Sequence, residues 1–246
     1  MFKKTNDKQY HTAINRDDIG KYVLLPGDPG RTDIIAKHLD TPKLIAENRE
    51  HKTWTGYLEG VKVSVLSTGM GCPSTAIAVE ELIKEGAHTF IRVGTAGAVK
   101  DENDLKKYDG VIVSGAVRDE GTTVQYIPIE YPALADIEII NALIDSSKEM
   151  DYNYLLGISQ SKDSFYGEVS PESSPVESNL KYRWEAWKRG NVACSEMECA
   201  ALFIICSIRQ KRAAAIMNFK NMEDTISVAI KAISSLIKMD KENGYE

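Results

Sequence analysis

Only four cysteines occur in the 246 residues, Cys72, Cys194, Cys199 and Cys206, and none forms a CxxC pair or stands beside a histidine. That argues against a zinc centre or a disulfide framework. Cys199 and Cys206 lie two helical turns apart in an apolar stretch, so buried free thiols are expected. Long apolar runs are missing too: the longest, Cys199 to Cys206, is far short of the roughly 20 residues needed to cross a bilayer. Met1 to Thr12 is polar, without the apolar centre of a signal peptide. There is no excess of positive charge, with 30 Lys and Arg against 36 Asp and Glu and a net charge of -6. Electrostatic capture of nucleic acid or of an anionic membrane is therefore disfavoured, and any phosphate chemistry must rest on a few local arginines. No repeat, linker or low-complexity tract interrupts the chain. What remains is ordinary globular material, 43% hydrophobic and 27% charged. The expectation is one cytoplasmic domain spanning residues 1–246, without a bound cofactor.

Short apolar runs alternate with helical patterns. Tyr22–Pro26, Val61–Thr68, Thr89–Val93, Val111–Ala116, Tyr154–Gln160 and Ala213–Met217 read as strands. Thr75–Lys84, behind Pro73 and closed by Gly86, reads as a helix, as do Ile137–Glu149, Asn179–Lys188, Met197–Arg209 and Thr225–Lys238. This alternation predicts an α/β fold with a central, largely buried mixed sheet flanked by helices. The charged segment Lys100–Lys107 reads as a surface loop, and Gly167–Ser178, rich in serine with two prolines, as an irregular loop of the kind that serves as a lid.

Four stretches carry candidate chemistry. In Leu25–Arg31 a strand passes into a helix; Gly27 permits close backbone approach and Arg31 can fork two bonds to a phosphate. Alone, this is equally a turn with a surface arginine. Ser67–Ser74 repeats the strand-to-helix passage with two glycines, and in isolation reads as a tight turn. Arg92 interrupts a strongly apolar strand and so needs a carboxylate or an anionic ligand, with the Thr95 hydroxyl at the same level. With Arg31 it makes a phosphate clamp. Finally, Glu196 and Glu198 flank Met197 at the mouth of an apolar helix, where a carboxylate can either compensate the helix dipole or accept from two sugar hydroxyls.

Together with ENREHKTWTG, TFIRVGTAGA, GAVRDEGTTVQYIPIEYPA, SKDSFYG and SEMECAALF, these motifs resemble the nucleoside phosphorylase family, most closely its uridine phosphorylase branch, from about Tyr10 to Met217 and again from Asn218. The resemblance implies reversible phosphorolysis of a nucleoside to a free base and a pentose 1-phosphate. It would place Gly27, Arg31, Arg92 and Thr95 on inorganic phosphate, Arg49 on the same phosphate from a neighbouring subunit, and His11 across the interface on the ribose 5′-hydroxyl. Glu198 would hold the 2′ and 3′ hydroxyls beside Met197 and Glu196, and Phe165 would pack on the base near Glu168. It also implies a homo-oligomer, with a dimer as the smallest unit and a hexamer as the usual assembly. Glu50, Met70 and Ser74 stand where a monovalent cation such as potassium would lie between subunits. A purine nucleoside phosphorylase, a nucleosidase and a non-catalytic nucleoside-binding protein are the competing readings.

Two departures from the branch matter. The glutamine and arginine that follow SKDSFYG and address the uracil edge are replaced by Glu168 and, approximately, Ser173. The expectation is a drifted base preference or weak activity on uridine, with Glu168→Gln plus Ser173→Arg raising turnover. Secondly, the strand Ala213–Met217 runs straight into Asn218–Met222, where the family has a loop of roughly a dozen residues. Either the loop is deleted, which would truncate the strand and open one side of the base pocket, or residues are missing from the sequence between Met217 and Asn218; the second is favoured. An aspartate that marks the purine branch would lie in that loop.

Overall fold

A computed structural model describes residues 8–99 and 105–244. Its centre is one mixed sheet of eleven strands in the order β2-β3-β4-β1-β5-β11-β7-β9-β10-β6, with β8 added beside β7. The expected strands are present as β1 (Tyr22–Leu25), β4 (Val61–Leu66), β5 (Thr89–Thr95), β7 (Gly110–Asp119), β9 (Tyr154–Lys162) and β11 (Arg212–Asn218). Sequence reading misses β2 (Asp40–Asn48), β3 (His51–Leu58), β6 (Gly97–Ala98), β8 (Ala133–Leu134) and β10 (Cys194–Glu196). β2 is an edge strand with mostly exposed side chains and a proline, and β3 buries His51, Thr53 and Thr55 instead of apolar residues, so neither shows apolar alternation.

Helices cover both faces of the sheet. α2 (Cys72–Lys84) and α6 (Cys199–Ile208) pack with Phe90, Val111 and Val113 on one side. On the other, α1 (Pro29–Ala36), α3 (Ile137–Glu149) and α7 (Met222–Glu242) pack over Ile91, Val93 and Ile112. α6 is apolar around its whole circumference and buried from Cys199 to Cys206, as a helix without a solvent face must be. The four cysteines are free and buried, as expected. The segment expected as an irregular loop at Gly167–Ser178 is instead largely helical. α4 (Phe165–Val169) is capped by Ser164, a 3₁₀ turn covers Pro171–Ser173, and α5 (Glu177–Arg189) follows. Of the expected loop Lys100–Lys107, residues 100–104 lie outside the described residues, and Leu105 is buried.

β11 is not truncated. It pairs with β5 over its full length, from Arg212 opposite Thr89 to Asn218 opposite Thr95, and Met217 and Asn218 are consecutive residues of it. Asn221 then caps α7 by accepting from the Glu223 amide, so three residues suffice to join strand and helix.

The sheet curls. β6 sits at the far edge of the strand order, yet only Ala96 separates it from β5 in the middle, and Gly97 pairs with Ser195 of β10. That curl brings the end of β10 beside the end of β5.

At the opposite end of β5 a polar cluster ties the sheet to α7. The Tyr22 hydroxyl donates to Asp240 at 2.6 Å, Arg212 donates to Asp240 at 2.9 Å, and His88 packs edge-on to Tyr22 with ring centroids 5.2 Å apart. Burial, and then the nearby Arg212 charge, push His88 down to about 4. An unfolded histidine titrates near 6.5, so between about pH 6.5 and 4 the unfolded chain takes up a proton that the folded one refuses. Stability should fall as pH drops through that window. Urea unfolding at about pH 7 and pH 5 should show a smaller drop for His88→Asn than for the unaltered chain; equal drops would remove His88 as the source.

Candidate active site

The site gathers where β1, β5 and β10 end. Beyond β1, Asp28 caps α1 by accepting from the Gly30 amide at 2.8 Å, with Pro29 in the first turn. This fixes the turn that presents Gly27 and Arg31. Burial lowers the Arg31 pKa, and the Arg92 charge acts in the same direction against Asp28, so Arg31 faces another cation with incomplete compensation. A Cβ on Gly27 would press on the Gly69 carbonyl oxygen at 3.3 Å and stand in ordinary contact, 3.7 Å, with Nη1 of Arg92, so the loop backbone lies beside that guanidinium.

Arg92 alternates with Ile91 and Val93 on β5 and so points to the α2/α6 face, 4% exposed. Its Nη2 is bonded to Glu198, its Nε lies 3.9 Å from Glu196, and neither Nε nor Nη1 has a hydrogen-bond partner among the described residues. A buried guanidinium with two unpaired N–H positions is costly unless an anion completes it. Burial is the largest single influence and acts to lower its pKa; Glu198, with Cys199, Glu196 and Cys72 adding in the same direction, outweighs it, so the pKa is raised and Arg92 keeps its charge.

Glu196 and Glu198 divide their roles. Glu196 accepts from the amides of Glu198 and Cys199, both at 2.7 Å, and from the hydroxyls of Ser159, at 3.1 Å, and Ser161. With two bonds on each oxygen, Glu196 has no acceptor position left and positions the start of α6, whereas Glu198 has one bond on Oε1 and two on Oε2. Glu198 precedes α6 and accepts from the Gly71 amide at 2.8 Å and the Met197 amide at 3.2 Å, besides Arg92. Burial pushes its carboxyl up while Arg92 pulls it down. Gly71 can offer its amide because it holds φ +89°, and Gly69 holds +71° with Glu50 and Ser74 packed against the place of a Cβ.

These groups line one cleft of about 720 Å³ with Thr95, Met70, Glu50, Met197, Phe165 and Glu168. Lys162 also lines it, and sequence reading assigned this residue no role. Lys162 Nζ donates to Glu168 and, at 2.7 Å, to Ser195 Oγ, and lies 5.7 Å from the centre of the Phe165 ring. The Ser195 hydroxyl lies within hydrogen-bond reach of Gln160 Oε1 (2.8 Å) and Glu168 (2.6 Å). The signal was available: a lysine at the end of a buried strand, in the quoted SKDSFYG, needs a carboxylate or a ligand as much as Arg92 does. Ser173 does not line the cleft; its hydroxyl donates to the Ser170 carbonyl at 2.7 Å.

His11 and Arg49 do not reach this cleft either. The His11 ring meets Glu81 at 2.8 Å, the Asn48 amide donates to the His11 carbonyl at 2.7 Å, and the Arg49 guanidinium lies 5.7 Å from the Tyr10 ring centre. The two therefore share one patch. Glu50 and Ser74 converge, the hydroxyl donating to the carboxylate at 2.8 Å, while Met70 is 84% exposed. Among the described residues no cluster of three or more His, Cys, Asp or Glu could hold a metal ion.

The sequence profile of the phosphorylase superfamily matches residues 21–234. The chain belongs to this superfamily. The phosphorylase is 42% identical over 252 residues to a uridine phosphorylase of Treponema pallidum, an alignment covering 96% of this chain and 97% of the relative. It is 40% identical over 247 residues to a uridine phosphorylase of Thermococcus kodakarensis, covering 95% and 88%. A guanosine phosphorylase of Halorubrum lacusprofundi is 37% identical over 209 residues, covering 85% and 81%. The Treponema pallidum alignment is longer than this whole phosphorylase, so the relative has residues without a counterpart here. Among the described residues, no helix of the phosphorylase is long and apolar enough to cross a membrane.

Proposed function

We propose that this phosphorylase splits uridine, and 2′-deoxyuridine, with inorganic phosphate, giving uracil and the pentose 1-phosphate. The observation that carries the reading is Arg92, buried with two unpaired guanidinium nitrogens and lining, with Arg31, the same cleft as Phe165 and Lys162. A hydrolase would leave those cations without an anion. In this reading phosphate sits between Arg31, Arg92, the Gly27 backbone and Thr95, with Glu198 on the ribose diol and the base against Phe165. Cleavage builds positive charge at C1′ and negative charge on the base. The phosphate dianion answers the first and the Lys162 ammonium the second, so positioning and fixed charges do the work without a covalent enzyme intermediate.

The shared patch of His11 and Arg49 supports a site completed by a second copy: both residues would reach the neighbour's cleft, Arg49 to phosphate and His11 to the 5′-hydroxyl. A dimer is then the smallest working unit, and a hexamer of three dimers the expected assembly. Glu50, Ser74 and Met70 would hold a monovalent cation at that boundary. The Glu50 carboxylate and Ser74 hydroxyl are hard oxygen donors, and Met70 could add only its backbone carbonyl; one carboxylate among neutral oxygens suits a singly charged ion such as potassium, which would supply fixed charge there. Four free, buried thiols suit a reducing compartment such as the cytoplasm, where the enzyme would serve nucleoside salvage.

The test is base release from uridine, 2′-deoxyuridine, thymidine and inosine, each with and without phosphate. Uracil release that requires phosphate is the expected result. Cleavage of inosine in place of uridine would move the enzyme to the purine branch, and binding without cleavage would make it a nucleoside-binding protein.

A further inference from the structure

Behind the Lys162–Glu168 pair lies a second cavity of about 410 Å³, with Leu180, Trp184 and Trp187 of α5 and Pro171 among its walls. Lys162 and Glu168 line this cavity and the cleft alike, so the pair is their common wall. The other charged groups around it are already engaged. Asp119 takes Arg183 and, at 2.6 Å, the Gln160 amide; Lys181 pairs with Glu177; Asp163 accepts from the Gly121 amide at 2.8 Å. An anionic guest would have to break one of these pairs; Asp163, which holds only a backbone amide, is the one charge here that a cation could meet without doing so, and the Trp187 Nε1–H has no acceptor among the described residues. An apolar or aromatic guest meets indole and leucine surface without that cost, and a far smaller cavity suffices for a benzene ring.

The pair also determines which edge of a base the wall can read. One oxygen of Glu168 is occupied by Lys162 and Ser195, while the other, Oε1, faces Gly97, 3.5 Å from where a Cβ would stand, and has no hydrogen-bond partner among the described residues. A carboxylate that accepts beside an ammonium that donates is complementary to an exocyclic N–H next to an unprotonated ring nitrogen. On a secondary exocyclic amine held there, the second substituent would have to pass this shared wall to reach the cavity.

We propose that this cavity is an annex of the base site, and that the enzyme also cleaves nucleosides whose base carries an uncharged aryl or alkyl group on an exocyclic amine. The inference rests on the phosphorolytic reading of the cleft. The reaction is the same transfer: the C1′–N1 bond breaks with its electron pair passing to the base, a phosphate oxygen bonds to C1′, and the base takes one proton from solvent. N4-benzylcytidine is the probe, with its N4–H on Glu168, its N3 on Lys162 and the benzyl group between Leu180 and Trp184.

Phosphate-dependent cleavage of uridine, cytidine and N4-benzylcytidine should be compared in the unaltered enzyme and in Leu180→Trp, which fills the annex without touching the cleft. N4-benzylcytidine is expected to be cleaved at least about tenfold better than cytidine by kcat/KM, and Leu180→Trp to erase that advantage while uridine changes less than about twofold. In the unaltered enzyme alone, N4-benzylcytosine should compete with uracil in the reverse reaction better than cytosine does, so the idea stays testable if the variant does not fold. Uridine cleavage with no benzyl advantage overturns the annex, as does a variant that loses both substrates equally while remaining folded. Failure of the unaltered enzyme to cleave any of the three would instead count against the phosphorolytic reading.

Discussion

Replacing Arg92 with methionine should lower phosphate-dependent kcat/KM by about 10³-fold or more, a larger effect than any other single change in the cleft. Two losses combine. The variant removes the N–H groups proposed to meet the phosphate, and transition-state donors in a water-poor site are each worth about 10²–10³ in rate. It also leaves Glu198 buried without its cation, beside Glu196 whose oxygens are committed to the start of α6. Removing one partner of a buried pair costs about 3–5 kcal/mol, so Arg92→Met should be less stable as well as inactive. Arg92→Lys separates the effects: it retains a charge for Glu198 but not the planar fork, and should recover much of the stability with little of the activity. Urea unfolding beside initial rates over a phosphate series reads both. If Arg92→Met keeps more than a tenth of the activity, the anion is not bound at Arg92.

The same ion pair has a consequence for the order of events. Glu198 is held by Arg92 and by the Gly71 amide in the ligand-free protein, so in the proposed reading the acceptor for the diol would be preformed but shared with the cation for phosphate. Phosphate bound at Arg92, as proposed, would draw part of that cation away from Glu198 and leave the carboxylate a better acceptor for hydroxyls. Coupling of this kind must be reciprocal, so phosphate and nucleoside should each tighten the other.

Much of this site could be read from the residue types, because a buried arginine in an apolar strand or a carboxylate at the mouth of an apolar helix is conspicuous against its neighbours. Arg31, Arg92, Glu198 and Phe165 meet in one cleft although they come from four separate parts of the chain. Elements whose sequence carries no periodic signal were not legible. β10 is three residues long, and β2 exposes most of its side chains, so both exist through their partners in the sheet. The division of labour between the two glutamates was also invisible: Glu196 and Glu198 look alike in sequence, and only the amides and serine hydroxyls around Glu196 commit it to the scaffold. Lys162 was missed for a related reason. Lys162 and Phe165 stand in the same motif, but only the fold sets that ammonium beside the ring.

Lys162→Met should reduce kcat on uridine by about 10²-fold while leaving the KM for phosphate nearly unchanged, and Glu168→Gln should have the opposite sign. The arithmetic follows from charge. At the base end of the cleft Lys162 is the cation beside Phe165, and Glu168 is the anion that holds it. A departing base gains negative charge, so the ammonium stabilises the transition state and the carboxylate opposes it. Two unit charges about 5 Å apart at an effective dielectric near 20 interact by about 3 kcal/mol, and the neighbouring opposite charge offsets up to about half of that. Replacing Glu168 with glutamine keeps an acceptor for a base N–H, adds a donor, and releases Lys162 from its counter-ion; kcat on uridine should rise by up to about tenfold. The expected partner substitution Ser173→Arg adds little, because Ser173 faces the Ser170 carbonyl from the 3₁₀ turn and not the cleft. Single-turnover uracil release at saturating phosphate measures the chemical step apart from product release. A fall of more than tenfold in Glu168→Gln would mean that the carboxylate itself is required, and a Lys162→Met enzyme with unaltered kcat would mean that the base leaves without help from that ammonium.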